Sequence, residues 1–389
     1  MKIAFTVRNR ALLATACSLL LLPGSLFGQG SLTPPGGPPT PTMKTLDQVE
    51  ARIIVNAANT PGDGTNTFII SQRGSYYLTD NIIGAFNKHG ISVRANDVTL
   101  DLNGFALISG GLGTVHGIDV PLAQTGLCIR NGNISNWTSD GVHGQLATMR
   151  AEKLNLSNNI GIGLAVSNGS LVQDCVASGN GTGFFSDDRA QFNNCISTVN
   201  SGIGFNCLNF VTLIDCTSSR NGGDGIVVGS SSTVTRCNSS RNIPSGIGIL
   251  AGSGCTIADC TAGSNGSDGI QITATGAGST IRNCTTRANT NYGINGSDGC
   301  QVIGNTCDGN DTGINTGSGG RIDGNSCTAN RIGFTIFPSA HALVIRNSAY
   351  GNGNNFFIAT GNVAGPIVNM TGNGTGTINS TSPWANFSY

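Results

Sequence analysis

An asparagine returns every 20 to 24 residues from Asn136 through Asn158, Asn180, Asn200, Asn221, Asn242, Asn265, Asn289, Asn310 and Asn330 to Asn352. A fixed period of that length marks a stack of like units, each resting on its neighbours. A period near 22 is too short for a β-propeller blade, which takes about 40 residues.

Within each period a Gly–apolar pair follows the asparagine by three to five residues, as in Gly183-Phe184, Gly204-Phe205 and Gly225-Ile226. Asn and Gly tolerate left-handed backbone, so the pair reads as a turn that opens a strand. Eight residues before the asparagine stands an apolar column: Cys128, Val172, Phe192, Leu213, Val234, Ile257, Ile281, Val302, Ile322 and Val344. Arg150 is its one polar member, so an irregular coil is expected there. Five residues before the asparagine stand Cys175, Cys195, Cys216, Cys237, Cys260 and Cys284, continued by Asn305, Asn325 and Asn347. Strands of three to six residues between turns leave no room for helices. The expected fold is all-β, a single-stranded right-handed parallel β-helix of about 12 to 13 coils at the ~4.8 Å inter-strand spacing. Stacked Asn180, Asn200, Asn221, Asn242, Asn265 and Asn289 are expected to form an amide ladder.

Ahead of the repeats, residues 1–30 combine a basic start (Lys2, Arg8, Arg10), a 12-residue apolar run and small residues, and so read as a signal peptide. That run is too short to span a bilayer, and no later stretch reaches 18 apolar residues, so no membrane span is expected. Residues 31–42 form a Pro/Gly linker. Residues 43–82 are assigned to an N-terminal cap that begins with a short helix over 43–51, and 83–389 to the β-helix. From about 353 the period decays, and Phe356, Phe357, Ile358, Ile367, Val368, Trp384 and Phe387 are expected to close the stack with aromatic plugs.

The segments Gly74-Ser-Tyr-Tyr-Leu78, Val98-Thr-Leu-Asp-Leu-Asn-Gly-Phe105, Ile129-Arg-Asn-Gly-Asn-Ile134, Gly365-Pro-Ile-Val368 and Ser382-Pro-Trp-Ala-Asn-Phe387 resemble exported bacterial β-helix repeat proteins of the pectate-lyase-like superfamily. The resemblance covers nearly the whole chain after the linker. It implies the fold and an exported protein, and it reaches polysaccharide lyases and hydrolases, epimerases, tailspikes and adhesins alike, so fold analogy does not select a reaction.

Twenty acidic and twenty basic residues give zero net charge, which removes the bulk electrostatic case for nucleic acid. A neutral surface rich in Ser, Thr and Asn suits polysaccharide. Stacked cysteines keep their Cβ atoms near the inter-strand spacing, beyond the ~3.8 Å a disulfide prefers, so the column is expected to be reduced.

Four groups carry the candidate chemistry. Asp187-Asp188-Arg189 matches the adjacent acid pair of polygalacturonase-like hydrolases of the resembled superfamily. Their Gly-His-Gly and Arg-x-Lys partners are missing here. Two such carboxyls ~6.5–9.5 Å apart can run an inverting hydrolysis. His89, His116 and His143 stand 27 residues apart, each before a glycine. The first two are expected to stack, with Asp119 as their acid, for metal or general-base work. Asp174, Asn194, Asp215, Arg236, Asp259 and Asn283 form a column of alternating sign that suits either a calcium-dependent lyase or an ion ladder, and Arg220 and Arg241 are candidates for substrate carboxylates. Asp224 and Asp268, with Ser245 between them, are turn acids that could take Ca²⁺. No metal site is assigned, and calcium is the one cofactor the pattern leaves open. Polysaccharide binding or processing on the lateral surface is the leading function, and a non-catalytic envelope or adhesive scaffold is the alternative.

The column assignment is open to a direct check. Leu213→Asp or Ile257→Asp buries an unpaired charge and is expected to destabilise by several kcal/mol in a denaturant titration.

Overall fold

The computed structural model describes residues 51–389 apart from 112, 114, 274–276, 371–377 and 379. The signal, the linker and, apart from Ala51, the expected helix therefore lie outside the described residues. Among the described residues there is no helix.

The chain winds as a parallel β-helix, and every named strand pairing is parallel. Each regular coil gives one strand to a 14-stranded sheet and two strands of three residues to a 28-stranded sheet. The count is therefore higher than the 12 to 13 coils expected from the asparagine period. The difference lies at the N-terminus, where Ile53–Ile54 already pairs with Gly74–Tyr77, and Asn66–Ile70 with His89–Val93. Parallel pairing thus begins ahead of residue 83. At the other end Asn386–Ser388 pairs with both Ser348–Tyr350 and Ile367–Asn369.

The two short strands of each coil are hinged at one left-handed residue. That position is filled by Asn131, Lys153, Asp174, Asn194, Asp215, Arg236, Asp259, Asn283, Gly304, Gly324 and Arg346, with φ between 51° and 67°. A second left-handed residue stands just before the inner asparagine: Gly179, Val199, Arg220, Arg241, Ser264 and Ala288. The glycines after the asparagine serve a different purpose from the expected backbone freedom. A Cβ on Gly204 would lie 2.2 Å from Ser218 Oγ, and one on Gly225 2.0 Å from Ser239 Oγ. Those hydroxyls donate to Gly225 O and Gly248 O at 2.7 and 2.6 Å, so the glycine column makes room for buried serines.

The amide ladder runs inside the turn. Each asparagine Oδ1 from Asn180 to Asn352 accepts the backbone N–H and the side-chain N–H of its predecessor, at 2.8–3.2 Å. Its first member is Asn159, not Asn158. Asn136 and Asn158 take the left-handed position one residue earlier, with φ of 64° and 55°. The same one-residue offset resolves Arg150 and puts Ile129 rather than Cys128 in the interior. Ala151 pairs with Val172 and points inward, Arg150 pairs with Leu171 and is exposed, and the coil is regular.

The cysteine column is the second ladder. Its thiols donate to backbone carbonyls, as from Cys216 to Phe192 O at 3.5 Å, and Cys260 Sγ accepts the Cys237 N–H at 3.4 Å. From Asn305 onward amides replace them through Asn325 and Asn347 to Asn386. All twelve cysteines among the described residues are free, eleven of them buried. Burial pushes the Cys207 thiol up to about 12. The interior between the sheets is filled by stacked side chains such as Phe184 and Phe205, whose ring centroids lie 4.9 Å apart, and by Trp137, which is fully buried. At the C-terminal end Phe356 stacks on Phe334 at 4.9 Å. Trp384, expected as a plug, is 50% exposed.

Asn221→Ala leaves the Asn200 N–H groups and the Asn242 Oδ1 short of partners. At about 1–3 kcal/mol for each buried unsatisfied group, it is expected to cost at least ~2 kcal/mol in a denaturant titration. Outward-facing Thr233→Ala should stay within about 0.5 kcal/mol.

Candidate functional site

The histidine row owes its form to the core beneath it. Gly90 and Gly117 follow His89 and His116, and a Cβ on either would come within 3.0 Å of the Trp137 indole. The glycines admit the indole from inside, and the histidine one residue earlier is left on the outer side of the turn. His89 and His116 stack at 5.1 Å with 9° between planes, as expected from their spacing. His143 joins them at 4.2 Å and 17°, although its backbone registers with Asp119 rather than with His116.

The three imidazoles have different hydrogen bonding, and this fixes their tautomers. His89 Nδ1 accepts the backbone N–H of His116 at 3.0 Å, and His116 Nδ1 accepts the backbone N–H of Asp140 at 3.2 Å. A ring that accepts at Nδ1 carries its proton on Nε2 when neutral. These two rings therefore present N–H donors. Burial, reinforced by His143, lowers the pKa of His116 to about 4, and burial likewise lowers that of His89. His143 is arranged the opposite way. Its Nδ1 lies 2.8 Å from Asp140 Oδ2 and donates to it, which leaves the Nε2 lone pair free. That bond raises the His143 pKa. Asp140 is 8% exposed, and burial works against its charge. The bond from His143 and the Ile162 N–H at 2.7 Å from Oδ1 outweigh burial and hold it below the usual carboxylate range. His116 Nδ1 also lies 3.4 Å from Asp140 Oδ2. Because its lone pair is already engaged, that approach is not an ion pair.

Two triads bring potential metal ligands within 4.8 Å of one another: His89, His116 and Asp119, and His116, Asp140 and His143. Nitrogens bound ~2.0–2.1 Å from one tetrahedral ion sit roughly 3.4 Å apart and aim their lone pairs at it. Here the rings are parallel, and the Nδ1 lone pairs of His89 and His116 are taken by backbone donors. The arrangement fits proton transfer and hydrogen-bond donation better than a shared metal.

The other sequence candidates lie elsewhere. His143, Ala165 and Phe185 are in register, and Asp187 follows two residues later, so the acid pair is two coils from His143 and three from His116. Asp188 Oδ1 accepts the Asn209 N–H at 2.9 Å and its side-chain N–H at 3.2 Å, a turn ladder continued by Asn209 Oδ1 and the Ser230 N–H. Asp187 is shifted upward by burial. The alternating column is the left-handed hinge described above. Arg236 grips Asp215 with bonds of 2.8 and 2.9 Å, Asn194 donates to Asp174 at 2.7 Å, and Asn283 donates to Asp259 at 3.2 Å. Its charges are used along the column, as in an ion ladder. Arg220 and Arg241 are exposed and one coil apart. Asp224 and Asp268 each accept a backbone N–H from the next coil, from Ile247 at 2.7 Å and Tyr292 at 3.2 Å. They serve as turn acceptors two coils apart, with Ile247 rather than Ser245 between them.

Asp140 was missed by the sequence reading. The available signal was its phase, since Asp140-Gly141 occupies the same place in the cycle as Asp224-Gly225 and Asp268-Gly269 and lies three residues before His143.

Among known proteins, the family described as "Right handed beta helix region" matches residues 210–321. The A-module of an Azotobacter vinelandii mannuronan C-5 epimerase aligns over 76% of this chain and 91% of its own, at 14% identity and a TM-score of 0.43. A pectate lyase aligns over 71% and 69%, at 15% identity and a TM-score of 0.35. The Dettilon tailspike protein aligns over 81% and 61%, at 14% identity and a TM-score of 0.41. No curated protein matches the sequence. The described part of this chain is a right-handed parallel β-helix.

Opposite shifts predict opposite pH effects on stability. His116, depressed to about 4, contributes stability above pH 6.5 that is lost as pH falls through about 4. His143, raised, contributes below pH 6.5 and loses that contribution as pH rises through its folded value. His116→Asn should therefore flatten the fall in Tm between pH 6.5 and 4, measured by thermal denaturation across that range.

Proposed function

We propose that this protein binds polysaccharide along the outer face of its fourteen-stranded sheet and transfers a proton at the histidine row. The carrying observation is the Asp140–His143 bond beside neutral His116. It supplies a base of raised pKa with a free Nε2, next to two stacked N–H donors. His143 is the general base, held in its tautomer by Asp140. His116 and His89 donate to the substrate oxygen on which charge builds, as a neutral imidazole does when it acts as an electrophile. The outer column runs in register from Ser92 through Asp119, His143, Ala165 and Phe185 to Asn206. The half-buried Phe185 ring, two coils from the base, has a face that suits the apolar face of a sugar, and half-buried Asp119 and Asn206 offer polar contacts, while Ser92 and Ala165 of the same column are fully covered. The basic start and short apolar run at the N-terminus support export.

A non-catalytic scaffold is the second reading, favoured by the unbroken amide ladder and by the paired charges of the hinge column. Purified protein incubated with a panel of uronans and neutral glycans, with and without Ca²⁺, separates the two. Product with new unsaturated or reducing ends supports the enzyme, and no product with any glycan leaves the scaffold. For an active substrate, His143→Gln should lower kcat by ~10²–10⁴ with KM little changed. The rate should rise with pH as His143 deprotonates above its ordinary value of 6.5, and Asp140→Asn should move that limb to lower pH.

A further inference from the structure

We propose that the last coils carry a second binding site, independent of the histidine row, for a small amphipathic carboxylate. The outermost column of the 28-stranded sheet is polar for most of its length. Gln191, Thr212, Thr233, Thr256, Thr280, Gln301 and Arg321 follow one another in register. In the next two coils the same outward position becomes Leu343 and Val363. This change of polarity coincides with a cavity of about 400 Å³. Leu343, Ile345, Val363, Pro366 and Trp384 form its walls, and Arg321 and Ser382 supply its polar groups. Val363 is 64% exposed and Trp384 50%, so the apolar surface is open to solvent.

The charge at the rim selects the occupant. Asp323 is a single carboxylate, 3% exposed, and it is shared by Arg321 at 2.7 Å and by Arg346. Arg346 also lies over the Trp384 ring, 5.6 Å from its centroid. Two guanidiniums against one carboxylate leave one positive charge at the edge of an aliphatic and aromatic hollow. Arg321 is the cavity-lining member of the pair and its side chain is 45% exposed. An acyl or aryl tail fills the hollow, and its carboxylate meets the Nη edge of Arg321, since Nε and Nη2 already donate to Asp323 Oδ2 at 3.2 and 2.7 Å. A sugar ring fits less well, because most of its hydroxyls would face carbon.

Calorimetric titration of the full chain with decanoate, decanol and decyltrimethylammonium tests the site, with tryptophan emission read in parallel. The chain has two tryptophans and Trp137 is fully buried, so Trp384 reports the hollow. Decanoate is expected to bind saturably with a blue shift, more tightly than decanol and far more tightly than the cation. Arg321→Gln should weaken decanoate at least tenfold and leave decanol unchanged, and the Asp323–Arg346 pair keeps that variant folded. Val363→Asp, at an exposed position, should weaken both. Equal binding of anion and cation, the absence of a saturable shift, or an unaffected Arg321→Gln would overturn the proposal. So would sedimentation showing that a second copy of the chain occludes Trp384.

Discussion

A coil of about 22 residues must turn its backbone through the interior, and there every buried N–H needs an acceptor. One asparagine per coil supplies it. Its Oδ1 takes two N–H groups from the coil before, and its Nδ2 passes the bond to the coil after, so no coil is satisfied alone. Serines 197, 218 and 239 occupy the space left by the glycine column and tie the ladder to the strand beyond it. Register is thereby fixed from within. Whatever stands on the outside is carried at a constant phase.

The histidine row uses that constancy to give three identical side chains unlike chemistry. Backbone N–H groups at a turn accept no compromise in tautomer: they occupy Nδ1 of His89 and His116 and force the proton to Nε2. His143 sits three positions further along the coil, in register with Asp119, and finds a buried carboxylate instead. Neutral donors and a basic acceptor are thus set side by side by main-chain geometry, with Asp140 bonded to the acceptor and Asp119 as the second carboxylate of the cluster.

The coils and both ladders were legible because they repeat, and repetition averages over local exceptions. Legibility failed where a single residue carried the information. Asn158 and Arg150 looked in phase and were one place off, because two adjacent asparagines at 158 and 159 allow either register, and only the Trp137 N–H bond to Asn159 and the pairing of Ala151 with Val172 decide. His89 and His116 could be paired by spacing alone. Asp140 could not be found from spacing to the other histidines, since its contact with His143 is local and its contact with His116 crosses coils. The acid pair at 187 and 188 shows the converse, a suggestive motif whose second carboxylate is already used to cap the next turn. Trp384 was read as a plug because it is aromatic and terminal, yet it lies on the outside over Arg346.

Contacts in this stack pass only between adjacent coils, and that has a consequence for how the molecule can vary. The histidine row belongs to the early coils, and the Trp384 hollow to the last ones, with nine coil steps from Val142–Gly144 to Ile332–Ile336 and Asn354–Ile358 beyond. Gain or loss of one whole intervening turn would move the two faces apart or together by roughly 4.8 Å and rotate neither out of its own surroundings. The chain is in that sense a ruler graduated in turns, on which spacing between distant surfaces can change in evolution while each surface keeps its chemistry.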